Sequence, residues 1–99
     1  MQIITDFGRK NIKPKKTFYY REERFAICEV PTKLNDMTSP TVLRRLVHFS
    51  SGKVIPIQFL SEKTALNCVQ TAEKRLDKIF KTVGEEYFYS ELSKQEKLN

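Results

Sequence analysis

The sequence predicts an α+β domain: an antiparallel sheet of about four strands, covered on one face by a long C-terminal amphipathic helix, with a short second helix expected after it. Three observations lead there. β-Forming residues alternate in short runs up to Phe59, turn-forming clusters separate those runs, and a helical period takes over after Leu60. Ninety-nine residues, 39% of them hydrophobic, suit a single domain over residues 1–99 with a small core.

Taken in order, QIIT near the start reads as a short strand, and Gly8 to Lys16 as a basic loop or arm, since Gly8, Asn11 and Pro14 all disfavour regular structure. Thr17 to Arg21 is a strand with Phe18 and Tyr20 on one face and Tyr19 and Arg21 on the other. Glu22-Glu23 either turns the chain or lies in a continuous bent strand. Phe25 to Val30 follows, with Phe25, Ile27 and Glu29 opposite Ala26, Cys28 and Val30. Pro31 to Pro40 is the clearest loop, its prolines bracketing Asn35, Asp36 and Ser39. Val42 to Phe49 and Val54 to Phe59 form a pair of strands joined through Gly52. Ile55, Ile57 and Phe59 point into the core, and Pro56, which lacks an amide proton, places its strand at an edge or interrupts it.

In the helical part Ser61 is a suitable N-cap and Glu62 suits the first turn. Ala65, Leu66, Val69, Ala72, Leu76, Ile79, Phe80 and Val83 form one stripe, and Gly84 is the expected stop. A short helix from Glu85 to Leu92 would pair Phe88 with Leu92 and present Tyr87 and Tyr89, and residues 93–99 are expected to fray. One such helix leaves the sheet's other face to solvent, a ligand or a second subunit.

The formal charge of +6 is uneven. Residues 1–24 carry seven basic and three acidic side chains, residues 25–60 four and two, and residues 61–99 seven of each. All the excess positive charge therefore belongs to the strand-rich part, which is the footprint of a surface for phosphate or another anion. Lys-rich loops also keep small domains soluble, so charge alone names no partner. Phe18, Tyr19 and Tyr20 follow the basic cluster directly, and rings beside cations are what a single-stranded nucleic-acid surface uses. The candidate nucleic-acid-binding residues are Arg9, Lys10, Lys13, Lys15, Lys16, Tyr19, Tyr20, Arg21, Arg24, Arg44 and Arg45. The element order resembles that of sheet-then-helix single-strand DNA-binding modules, a likeness that carries no residue assignments.

Signals for chemistry are sparse. His48 is the single histidine, expected at the solvent edge of its strand, on a face with Val42, Arg44 and Leu46. Cys28 and Cys68 lack the close spacing of a metal site or a disulfide framework, and ordinary buried thiols are expected, a single bridge being the alternative. Glu22-Glu23 and Glu85-Glu86 are adjacent pairs, which do not converge on one bond, and Gly8, Gly52 and Gly84 make no phosphate loop. No catalytic residue, cofactor or metal is expected.

The function expected from these features is non-enzymatic nucleic-acid binding. The alternative is a small regulatory protein that binds an acidic protein partner, of the accessory kind carried by viral or plasmid genomes, through the exposed sheet face, the Pro31–Pro40 loop or the Tyr87–Tyr89 segment. A homodimer is expected from size. No apolar run reaches the roughly 18 residues of a membrane span, and the N-terminus lacks signal-peptide features, so no membrane association and an intracellular location are expected.

Overall fold

Alternation in the strands and a 3.6-residue period after them produce two layers against one central sheet. The computed structural model describes residues 1–33, 39, 41–59 and 64–93. The strands are β1 (Gln2–Thr5), β2 (Gly8–Asn11), β3 (Lys16–Tyr20), β4 (Glu23–Thr32), β5 (Thr41–His48) and β6 (Val54–Gln58), and the helices are α1 (Ala65–Val83) and α2 (Glu85–Ser93). β3, β4, β5 and β6 form an antiparallel sheet in that order, while β1 and β2 form a separate hairpin.

Strand alternation sorts the core into two halves. Phe25, Ile27, Leu46, Ile55 and Ile57 face α1 and α2, where Cys68, Val69, Ala72, Leu76, Phe88 and Leu92 meet them. Ala26, Cys28, Val30 and Val47 face the other way and are covered by Ile3 with Met1 and Ile12. The second sheet face is therefore not left open: the N-terminal hairpin roofs it. The expected loop over residues 8–16 is likewise corrected. Gly8–Asn11 is a strand, with Lys10 opposite Ile3 and Arg9 opposite Ile4. Backbone pairing with the apolar β1 supports β2, which buries none of its own four residues.

Local devices shape the ends of the elements. The β3–β4 connection is a true turn: Arg21 and Glu22 link the paired Tyr20 and Glu23, and Arg21 takes the positive φ (+56°) that tight hairpins demand. Pro31 belongs to β4, opposite Val42, rather than to a loop. β3 pairs with β4 only as far as Ile27, so beyond it one edge of β4 is unpaired and tolerates proline. Pro56 lies where the β5–β6 register shifts, in an edge strand, as its missing amide proton requires.

Helix α1 starts at Ala65 with Thr64 as its N-cap, the Thr64 hydroxyl accepting the Asn67 N–H at 3.1 Å, and not with Ser61; Ser61 and Glu62 lie outside the described residues. It ends at Gly84. Its docked face is narrower than the apolar stripe and includes Cys68, while Leu66 and Val83 are exposed. Phe88 and Leu92 of α2 complete the core. The loop centre at 34–38, Pro40 and the C-terminal residues 94–99 also fall outside the described residues. No described helix is long and apolar enough to cross a membrane.

Candidate nucleic-acid interface

The eleven candidate residues separate into three groups. Arg9, Lys10, Lys13, Lys15 and Lys16 are exposed and succeed one another along the chain from β2, past the anchored Ile12, into the start of β3. Arg9 and Lys10 lie on opposite faces of the hairpin. Lys15 reaches Glu29 at 4.0 Å, an exposed pair of little energetic weight. Among the described residues no carboxylate lies within 4.0 Å of Arg9, Lys10, Lys13 or Lys16.

Tyr19 and Arg24 extend this path. They are register partners across β3 and β4, so their side chains share a face, and Tyr19 is 67% exposed. The Arg24 guanidinium lies 4.0 Å from the Phe49 ring centre, and its Nη2 approaches the Thr17 hydroxyl at 3.4 Å. This cation–ring contact holds the guanidinium against Phe49, on the strand face that it shares with the open tyrosine. β3 is an outer strand of the sheet, so Tyr19 and Lys16 flank a free edge from its two sides.

Four candidates leave this surface. Tyr20 is buried, edge-on to Phe88, and its hydroxyl donates to Asp77 Oδ1 at 2.8 Å, so its ring offers no stacking surface. Burial raises the pKa of Tyr20, the Arg21 hydrogen bond opposing and Asp77 adding to the shift. Hydrogen bonds from Lys81 and from Tyr20 lower that of Asp77. Arg21 folds back over Phe80, 3.8 Å from the ring centre, with Asp77 at 3.9 Å. Arg44 and Arg45 are successive strand residues and point to opposite faces, Arg44 beside Glu29 and Arg45 beside Cys28 in the register. They cannot share one surface with each other.

His48 departs from its expected place at a solvent edge. Its side chain is 4% exposed, with Nδ1 2.8 Å from Ser51 Oγ and Nε2 2.9 Å from Glu23 Oε2. Ser51 Oγ also accepts the Lys53 N–H at 3.2 Å. The Glu23 carboxylate can only accept, so it takes the Nε2 proton, and in the neutral ring Nδ1 then accepts from the Ser51 hydroxyl. This serine–histidine–carboxylate chain ties the β3–β4 turn to the β5–β6 turn. The neighbouring N–H groups of Gly52 and Lys53 are committed to the His48 carbonyl and to Ser51, leaving neither free to hold an oxyanion. The His48–Ser51 spacing across a glycine-containing turn was readable in the sequence; the Glu23 partner, 25 residues away, depends on strand pairing.

Cys28 and Cys68 are both free and buried, one in the hairpin-side cluster and the other in the helix-side cluster. The sheet separates them. Among the described residues no three potential ligands converge on a metal position. Burial pushes the Cys28 thiol up to about 11, with the N-terminal amino group opposing the shift. The unfolded chain, titrating near 9.0, then loses this proton first. Stability contributed by Cys28 is complete below that value and is lost as the pH rises toward about 11. Urea midpoints should accordingly fall less between pH 8.5 and 10.5 in Cys28→Ala than in the parent, after correction for the substitution itself.

No family model, curated protein or solved structure shows significant similarity to this chain.

Proposed function

We propose that the protein is a non-enzymatic nucleic-acid-binding module whose contact surface is the free edge of β3 together with the basic path that leads into it. Arg9, Lys10, Lys13 and Lys16 neutralise phosphates, while Tyr19, beside Arg24, stacks on a base. The single supporting observation is the coincidence of an exposed tyrosine and a ring-stacked arginine at the outer β3–β4 strand pair with a run of exposed cations in the chain that leads into β3.

Anisotropy titration of a labelled oligothymidylate tests the reading. Four phosphate contacts on a single strand give a log–log salt slope of about −3. Replacing Tyr19 with Ala should weaken binding by about 1–3 kcal/mol. Its side chain is largely exposed, so the urea midpoint should stay where it is. Binding that is absent, or that ignores salt between 50 and 200 mM (roughly the range over which phosphate contacts are felt), rejects the proposal.

A second reading, recognition of another protein, draws on a different feature. A mostly apolar groove of about 240 Å³ runs between β6 and the two helices, with Pro56, Ile79, Val83 and Tyr87 among its walls. Tyr87 is 56% exposed there. A protein partner would survive nuclease treatment and be lost with Tyr87→Ala, whereas nucleic-acid binding would depend on Tyr19.

A further inference from the structure

Arg45 is the starting point. It lies on the hairpin-facing side of β5, the side of the buried Val47, so the N-terminal hairpin covers it. The residue is partly buried, and among the described residues its side chain makes no hydrogen bond and has no carboxylate within 4.0 Å. Its Nε is sealed from solvent and is the one buried side-chain nitrogen or oxygen among the described residues without a partner. Lys53, the other shielded cation near the cleft, does reach a carboxylate, Glu91 at 3.9 Å. A guanidinium cannot relieve such a position by losing its proton.

Beside Arg45 lies a cleft of about 210 Å³ between the hairpin and the sheet. Ile4, Thr5 and Asp6 form its roof, and Val30, Thr32 and Arg45 its floor. The Thr5 hydroxyl donates to the Gly8 carbonyl and the Thr32 hydroxyl to the Val30 carbonyl, so both threonine protons are already placed. Asp6 is exposed and accepts the Lys33 N–H through Oδ2 at 2.8 Å, which pins the hairpin tip to the end of β4. Asp6 does not neutralise Arg45. The chemistry that complements an unpaired guanidinium in this cleft is an acceptor-only, negatively charged group.

We infer that the cleft beneath the N-terminal hairpin binds a small oxyanion, phosphate or carboxylate, on the Arg45 guanidinium. A planar fork of N–H donors matches the oxygens of either anion, and a partly dehydrated cleft strengthens the attraction. Asp6 sets the limit on affinity, since its like charge faces the same space. The site is separate from the β3 edge and does not rest on the nucleic-acid reading.

The test is an ¹⁵N chemical-shift titration of the whole chain with inorganic phosphate at constant ionic strength, following the Arg45 Nε–H and the amides of Thr32 and Val54. Acetate, in a second arm, distinguishes the two oxyanions. A saturable shift at these signals in either arm is the expected result. Arg45→Lys keeps the charge but loses the fork, and should weaken binding by about tenfold or more. Asp6→Asn should tighten it by about tenfold, the effect of removing one nearby like charge. Lys10→Gln, on the exposed path, should leave it unchanged. Shifts that do not saturate in both arms, or affinity untouched by both Arg45→Lys and Asp6→Asn, overturn the inference.

Discussion

Replacing His48 with Ala is expected to cost about 2–4 kcal/mol of folding stability. The ring is almost fully enclosed, lies 5.4 Å from Phe25 centre to centre, and is hydrogen-bonded at both nitrogens. Its removal leaves a cavity against Phe25, strips Glu23 of its partner and frees the Ser51 hydroxyl. Glu23→Gln should cost less, because its side chain is 31% exposed and water replaces part of the lost contact. Urea denaturation of both single variants and the double variant checks this. A coupling of about 0.5–3 kcal/mol between the two positions is expected. A His48→Ala protein within about 0.5 kcal/mol of the parent, the range of ordinary surface changes, would show that the clamp between the turns carries no stability.

Gly52→Ala is the second large effect, expected at about 2 kcal/mol or more. Two costs combine there. Gly52 has φ of +72°, which L side chains rarely adopt. An added Cβ would also fall inside contact distance of the Gln2 carbonyl oxygen, a backbone atom of β1. Relief requires the hairpin to move away from the turn, stretching the 2.9 Å bond from the Ile4 N–H to the Gly52 carbonyl. Gly84→Ala is the control: its φ is also positive, at +87°, but the added carbon would meet open space. The thiols report where the damage falls. Cys28 sits under the hairpin and Cys68 under the helices, so Gly52→Ala should speed modification of Cys28 by a thiol reagent and leave Cys68 protected. Equal acceleration at both cysteines would mean global loosening and not displacement of the hairpin.

Both variants act through distant contacts that pattern reading alone did not reach, Glu23 on His48 and the Gln2 backbone against Gly52, and the reason is the same. The positions of Val69, Ala72 and Leu76 on one helix face, or of Phe25 and Ile27 on one strand face, follow from a period of 3.6 or 2.0 along a few residues. The edge character of β6 follows from one proline, and the end of α1 from one glycine. β2 was hidden because GRKN holds no apolar residue and is a strand only by virtue of its partner. The candidate interface was legible in part for a related reason. Alternation placed Tyr19 and Tyr20 on opposite faces, but only the docked α1, with Asp77 waiting, decided that Tyr20 is the buried one. Likewise, alternation placed Arg44 on the face of His48 and so Arg45 on the other, but only the packed hairpin decided that the Arg45 face is a covered one.

From the chain alone came the α+β class, the amphipathic helix, the β5–β6 turn and the concentration of positive charge before residue 60, because each depends on neighbours a few positions away. Tertiary structure decided the roofing of the second sheet face, the enclosure of His48 by Glu23 and Ser51, the separation of the two thiols and the isolation of Arg45. Those depend on which distant segments pair and pack. That choice is made by burying two apolar faces at once, and no local periodicity encodes it.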